Sequence, residues 1–254
     1  MTSDSGRMAN ERPFYSEFAD AYDLLIADPV EPWVAAVNDV VGARAGSAQL
    51  RLLDAGCGTG RHAAAFSDAG YDVEMADASA GLLSIAVSRS PIIPAHLVDL
   101  TDFALGSDFD VVACRGVLND ILSDEDRRST IRCLAEHVRP EGWLVLDIRE
   151  AQATEKRQPT HTLTRVPTTD GELLFENESE WAGGQLVSHE RFSVTRTVDF
   201  TEVYEFIFTM RPWTEREIGN LIAAAGLTLA RLETAAYRAS GDRLFCAATR
   251  AKRH

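Results

Sequence analysis

The chain contains no apolar run that approaches the length of a membrane span. Stretch 1–12 is polar and lacks the apolar segment that opens a secretory signal, which predicts a disordered tail on a cytoplasmic protein. Basic residues are scarce: 25 Lys and Arg stand against 39 Asp and Glu, a formal net charge of −14 over 254 residues. Nucleic-acid binders carry a basic patch, so no nucleic acid is expected as a partner. Cysteine is limited to Cys57, Cys114, Cys133 and Cys246. No two stand at metal-ligand spacing and each sits in an apolar segment, which reads as reduced, packed thiols rather than a metal centre. Internal repeats and low-complexity segments are missing too. What remains is an ordinary globular composition, 45% hydrophobic, long enough for one α/β domain with an insertion.

The informative stretch is Leu52-Leu53-Asp54-Ala55-Gly56-Cys57-Gly58-Thr59-Gly60-Arg61-His62. An apolar run ending in an acid, three alternate glycines and then Ala63-Ala64-Ala65-Phe66 read as strand, tight loop and helix. Glycine permits positive φ and close approach of a ligand, and the helix start offers unpaired N–H groups to a negative group. The dinucleotide fingerprint is G-x-G-x-x-G, and here Arg61 occupies the position of its third glycine. Asp54, two residues before the first glycine, would repel a pyrophosphate. A ligand bearing an ammonium, a carboxylate and a sulfonium suits both the acid and the N–H groups; S-adenosylmethionine (SAM) is such a ligand.

Asp54-Ala55-Gly56-Cys57-Gly58-Thr59-Gly60 resembles motif I of the class I SAM-dependent methyltransferases. Tyr15, Ala19, Tyr22 and Asp23 are similar to the N-terminal segment of small-molecule methyltransferases such as the glycine and sarcosine N-methyltransferases and the aminosugar N-methyltransferases. The resemblance implies a Rossmann-like α/β fold: a doubly wound sheet of about seven strands, the last antiparallel, with a small antiparallel β-sheet inserted. It implies SAM as cofactor, S-adenosylhomocysteine as product, and a small-molecule acceptor covered by the N-terminal segment. Cofactor contacts are expected from Tyr22, Asp54, Ala55, Gly56, Gly58, Gly60, Asp77, Ala78, Asp99, Leu100, Cys114 and Arg115. Asp77 ends the second strand, 73–77, where a carboxylate accepts from both ribose hydroxyls. In the family an acid after strand three serves the adenine; Asp99 fits that place, with Asp102 as a competitor.

The rest of the chain predicts a helix over 14–26, a second helix over 33–41 closed by Gly42, and core elements that alternate strand and helix to a fifth strand at 143–148 after the turn Pro140-Glu141-Gly142. Ser123 followed by Asp124, Glu125 and Asp126 reads as a helix cap with dipole-matched acids, not a metal site. Segment 149–170 reads as polar loop, followed by strands at 173–181, 186–194 and 203–210. The expected division is a tail (1–12), a helical cap (13–42), a SAM-binding core (43–150), a β insertion acting as acceptor lid (151–212) and the remainder of the core (213–254), in a monomer or homodimer.

Methyl transfer from a sulfonium needs alignment and dehydration first, and a base only for a protonated acceptor. Asp120, Asn119 and His189 are the candidates for orienting or deprotonating one. The aminosugar enzymes have a histidine after strand four, and this chain has Asn119 and Asp120 instead. Tyr15, Trp33, Arg149, Arg211 and Trp213 are expected to line the acceptor pocket. The reading that follows is methyl transfer to N or O of a small molecule. A SAM-binding sensor without turnover and a nucleotide-dependent oxidoreductase stay open as alternatives.

Overall fold

The computed structural model describes residues 12–26, 28–42, 49–168, 171–197 and 200–252. The tail expected over 1–12 lies outside the described residues except for Arg12. Strands β1 (Arg51–Ala55), β2 (Asp72–Asp77), β3 (Ala95–Leu97), β4 (Phe109–Arg115), β5 (Val138–Arg149), β10 (Leu227–Thr234) and β11 (Arg243–Arg250) form one sheet in the order β10-β11-β5-β4-β1-β2-β3. Pairing is parallel from β3 through β5, and β11 runs antiparallel to both β5 and β10. The strand order reverses between β1 and β4, which opens a crevice at their carboxyl ends.

The central strands are apolar on both faces because both faces are covered. Leu53, Val112, Cys114, Leu144 and Leu146 pack against Ile131 and Leu134 of α5 (Asp124–Glu136) and Ile218 and Ile222 of α7 (Glu215–Ala224). Their neighbours Leu52, Val111, Ala113 and Val145 face Trp33 and Val37 of α2 (Glu31–Val41), Phe66 of α3 (Arg61–Asp68) and Ala86 of α4 (Ala80–Arg89). Period-two alternation along each strand thus sorts one sequence into two cores. All four cysteines are free and buried in these layers. No helix among the described residues is long and apolar enough to cross a membrane.

Two local expectations are corrected. The helix expected over 14–26 is a 3-10 turn, Pro13–Tyr15, followed by α1 (Ala19–Leu25). The break lets Phe14 and Phe18 both turn onto Phe192, a tertiary contact that overrides the helical spacing. Segment 149–170 is not plain loop: α6 (Ala151–Lys156) and β6 (Thr160–Thr168) occupy most of it. β6 is an edge strand with mostly exposed side chains, so it shows no apolar alternation. It pairs with β7 (Gly171–Ala182), which pairs with β8 (Gln185–Thr197), which pairs with β9 (Phe200–Met210), giving a four-stranded antiparallel sheet. Pro140-Glu141-Gly142 lies inside β5 as a ladder irregularity, with Glu141 at φ 64° where only glycine is at ease.

The small sheet leaves the core and returns to it at one point. Glu150 and Trp213 bridge in parallel; Trp213 N–H donates to Arg149 O at 2.8 Å, and Ala151 N–H donates to Trp213 O at 2.8 Å. Trp213 is fully buried, its indole N–H donates to Leu118 O at 3.1 Å, and the Arg127 guanidinium lies 3.9 Å over its ring. Arg211 supports the same junction, donating to Leu122 O at 2.7 Å and pairing with Asp124 and Glu217. Neither residue borders the cavity described below; both anchor the insertion. Trp213→Phe removes the donor to Leu118 and part of the packing, and is expected to cost about 2–3 kcal/mol. A fall in the urea midpoint at unchanged slope checks this; an unmoved midpoint would show that the junction carries no stability.

Candidate active site

The glycine loop is built for different purposes at successive positions. Gly56 and Gly60 have φ of 73° and 75°, and a Cβ on either would collide with Val117 Cγ1 at 2.5 Å or Ala86 Cβ at 2.8 Å. They let the loop pack down between β4 and α4. Gly58 also has positive φ, but an added Cβ would meet nothing within 4 Å; it borders the cavity and keeps its wall low. Arg61 donates to the carbonyls of Ile26, at 2.6 Å, and Asp28, at 2.9 Å, and so ties the N-terminal cap to the loop.

Asp77 is buried at the end of β2, accepting from Gly58 N–H and Ser79 N–H at 2.8 Å each, one on each oxygen. A carboxylate has about four lone-pair sites, so acceptor capacity remains for a ligand. Asp54 is buried beside it, and its Oδ2 has no hydrogen-bond partner. Burial, and then the charge of Asp77, push the Asp54 carboxyl up to about 7. An unmatched acid, a second acid with spare lone pairs and an open glycine make a site that fits the ammonium and ribose diol of SAM.

Asp77 and Gly58 face a cavity of about 390 Å³ between the sheet crevice, the N-terminal cap and the small sheet. Of the expected cofactor residues, Tyr22, Gly56, Gly58, Asp77, Ala78, Leu100 and Arg115 border it. Asp54, Ala55, Gly60, Asp99 and Cys114 do not. Ala55 and Cys114 are core residues of the sheet. Asp99 turns to its own loop, its Oδ1 accepting from Thr101 N–H and Oγ1 at 2.9 and 2.8 Å. Arg115 donates to His62 Nε2 at 2.8 Å and lies 3.6 Å from Asp147. Burial and this guanidinium hold His62 neutral, pushing it down to about 3.

At the opposite end the Tyr15 hydroxyl donates to Asp120 Oδ2 at 3.0 Å. Burial pushes the Asp120 carboxyl up to about 6, with the Arg12 charge and the Tyr15 hydrogen bond pulling the other way. Asn119 borders the cavity, but its amide is used on the backbone: it donates to Gly116 O at 2.7 Å and accepts from Arg149 N–H at 2.8 Å. These two bonds clamp the ends of β4 and β5. Arg149 borders the cavity with its guanidinium on Asp242 at 2.6 Å. Trp33 is buried against Tyr237 and Phe245, away from the cavity. His189 is exposed and faces a separate hollow on the outer side of the small sheet.

The neighbour of His189, Glu190, points inward and was not foreseen. Leu186, Ser188, Glu190 and Phe192 are buried while His189 and Arg191 are exposed, a period-two pattern readable from the apolar positions of β8. Arg12, expected in the tail, is buried and bridges both oxygens of Glu190, at 3.1 and 2.5 Å. Phe208 and Arg243 also border the cavity without having been singled out.

Comparison with known proteins agrees with this geometry. Residues 52–142 match the methyltransferase domain family. Over 152 residues the chain is 33% identical to the dTDP-4-amino-2,3,4,6-tetradeoxy-D-glucose N,N-dimethyltransferase of Saccharopolyspora spinosa, covering 58% of this chain and 61% of that protein. The chain spans about three fifths of the length of the first curated relatives it matches, 61% and 59%. The SAM-bound amino pentose methyltransferase CalS10 of Micromonospora echinaspora has a similar structure, with a TM-score of 0.72 at 25% identity over 94% of this chain and 99% of that one. The sugar N-methyltransferase KedS8 of a Streptoalloteichus species shares the fold, with a TM-score of 0.82 at 21% identity over 92% and 93%. The sequence match over the glycine loop and the fold agree: residues 52–142, which hold that loop and Asp77, match the methyltransferase domain family, and the whole chain is similar in structure to a SAM-bound methyltransferase.

Proposed function

We propose that this protein transfers a methyl group from SAM to the nitrogen of a small-molecule amine. The observation that carries the reading is the cavity itself. It has the glycine loop and Asp77 at one end and the Tyr15–Asp120 pair at the other. The names of the sugar N-methyltransferase relatives support an amine acceptor of the amino-sugar class. When bound, SAM supplies an electrophilic methyl on a sulfonium and leaves as S-adenosylhomocysteine.

The protein's own groups divide the work. Asp77 has lone pairs left for the ribose hydroxyls, and the unmatched oxygen of Asp54 lies nearby for the ammonium. Leu100 borders the cavity and offers apolar surface to the adenine. At the other end, Asp120 stands after β4, where the family resemblance leads one to expect a histidine. A carboxylate usually titrates too low to deprotonate an ammonium at useful occupancy, but burial brings Asp120 to about 6, into the range where histidine works. Asp120 takes the proton from the acceptor's ammonium, and the nitrogen lone pair is then free for the new C–N bond. The Tyr15 hydroxyl holds the carboxyl in place.

Asp77→Ala is expected to weaken S-adenosylhomocysteine binding roughly 10- to 100-fold, the loss of charge-assisted hydrogen bonds to the ribose. Titration calorimetry checks it, and unchanged affinity would remove Asp77 from the site. Asp120→Asn is expected to lower kcat on the order of 10²- to 10⁴-fold. The wild-type rate should fall with pH below about 6, and that limb should vanish in the variant. Because the folded pKa of Asp120 is raised, its contribution favours folding below the usual carboxylate range and is lost as pH rises through about 6. Asp120→Asn is therefore expected to be more stable than wild type at pH 8, by up to about 3 kcal/mol. A flat pH–rate profile between 5 and 8, or a less stable variant, would count against Asp120 as the base.

A further inference from the structure

The Arg12 guanidinium sits in a box. It lies 3.8 Å from the centroid of Phe208, 4.5 Å from Tyr15 and 5.7 Å from Tyr22. Glu190 closes the fourth side with both oxygens, and Asp120 stands next to it through Tyr15. Two aromatic faces in contact with a cation, with a buried carboxylate at the edge, are the chemistry of a cation receptor. Arg12 and every wall of the box border the cavity, and Arg12 is the first of the described residues. Its main chain is held locally, its carbonyl accepting from Tyr15 N–H at 2.9 Å and from the Ser16 hydroxyl at 3.1 Å. Nothing in those bonds requires the side chain to point inward.

We propose that the walls Glu190, Phe208, Tyr15, Tyr22 and Asp120 form the subsite for the acceptor's cationic nitrogen, an ammonium or guanidinium, and that Arg12 occupies it as an internal stand-in which the acceptor displaces. The inference rests on the proposed reaction, in which the acceptor nitrogen has to reach Asp120. With Arg12 in place a cation already fills the approach to that carboxylate. With Arg12 withdrawn, buried Glu190 loses its ion pair and buried Asp120 loses the larger of the cationic charges acting on it, Arg243 remaining, a state that a ligand cation relieves. The box is therefore never empty of positive charge: either the protein or the substrate supplies it.

The test uses the full chain without cofactor. Wild type, Arg12→Ala, Arg12→Met and Arg12→Ala/Glu190→Gln are titrated with ethylguanidinium chloride and ethylammonium chloride at constant ionic strength. Binding is read by calorimetry and by the shift of the thermal midpoint. Arg12→Met keeps an apolar stem over the rings if the alanine variant does not fold. The expected result is saturable binding by the single variants at least tenfold tighter than by wild type, and its loss when Glu190 is also changed. Equal binding by wild type and both Arg12 variants overturns the proposal, as does binding that survives Glu190→Gln. Wild type that binds SAM while neither Arg12 variant gains affinity overturns the box and leaves the reaction standing. Gain of cation binding in a protein that does not bind SAM overturns the reaction and, with it, the assignment of the cation as acceptor.

Discussion

A carboxylate taken out of water must be met by donors or by a cation, and four carboxylates in this protein are held to that condition around one site. Asp54, Asp77, Asp120 and Glu190 are all buried. Backbone N–H groups meet Asp77, a phenol meets Asp120 and a guanidinium meets Glu190. Asp54 keeps one oxygen unmatched and is driven towards its neutral form. The two apolar cores that sandwich the sheet supply the stability that lets such a costly set of groups persist at its edge.

The four acids come from distant parts of the chain: the end of β1, the end of β2, the turn after β4 and the middle of β8. They converge only when the small sheet is folded back over the crevice. The Glu150–Trp213 bridge brings the two ends of the insertion together, and Arg211 and Arg127 fix that junction to the turn after β4 and to α5. Asp147 draws Arg115, Arg238 and Arg243 to the carboxyl end of β5, with Arg243 at 2.9 Å. Two of those arginines border the cavity, so an overall acidic chain presents local positive charge there. Charge at the site is set by such pairings and not by the net charge of the molecule.

The glycine loop was legible because strand, loop and helix follow within eleven consecutive residues and each glycine answers a local steric demand. Asp77 was legible for the same reason, since its position depends only on where β2 ends. That Trp213, Arg211 and Trp33 lie outside the cavity lining was not legible, because an aromatic ring or a cation beside an insertion reads alike whether it faces a ligand or a neighbouring helix. Trp213 is buried among core residues and under Arg127, far away in sequence. His189 was a candidate for its chemistry alone, while strand register gives the inward position to Glu190. Arg12 was read as tail because its partner lies 178 residues away, and no local pattern announces such a contact. β6 escaped notice because an exposed edge strand owes its existence to the ladder it joins, not to its own side chains.

The two ends of the cavity differ in how far the protein completes them by itself. At the glycine loop Asp54, beside the cavity and not bordering it, keeps an oxygen unmatched, so a cation held nearby eases a cost already present in the ligand-free fold. At the small sheet the acids are already partnered, and an entering cation exchanges one ion pair for another. The net gain at that end is then the difference between two similar pairings, plus whatever else the acceptor touches. Tight retention at the first end and easy exchange at the second suit a protein that holds one ligand while another passes through. The same asymmetry keeps Asp120 from facing an uncompensated charge before the acceptor arrives, because the Arg12 guanidinium leaves only as another cation takes its place.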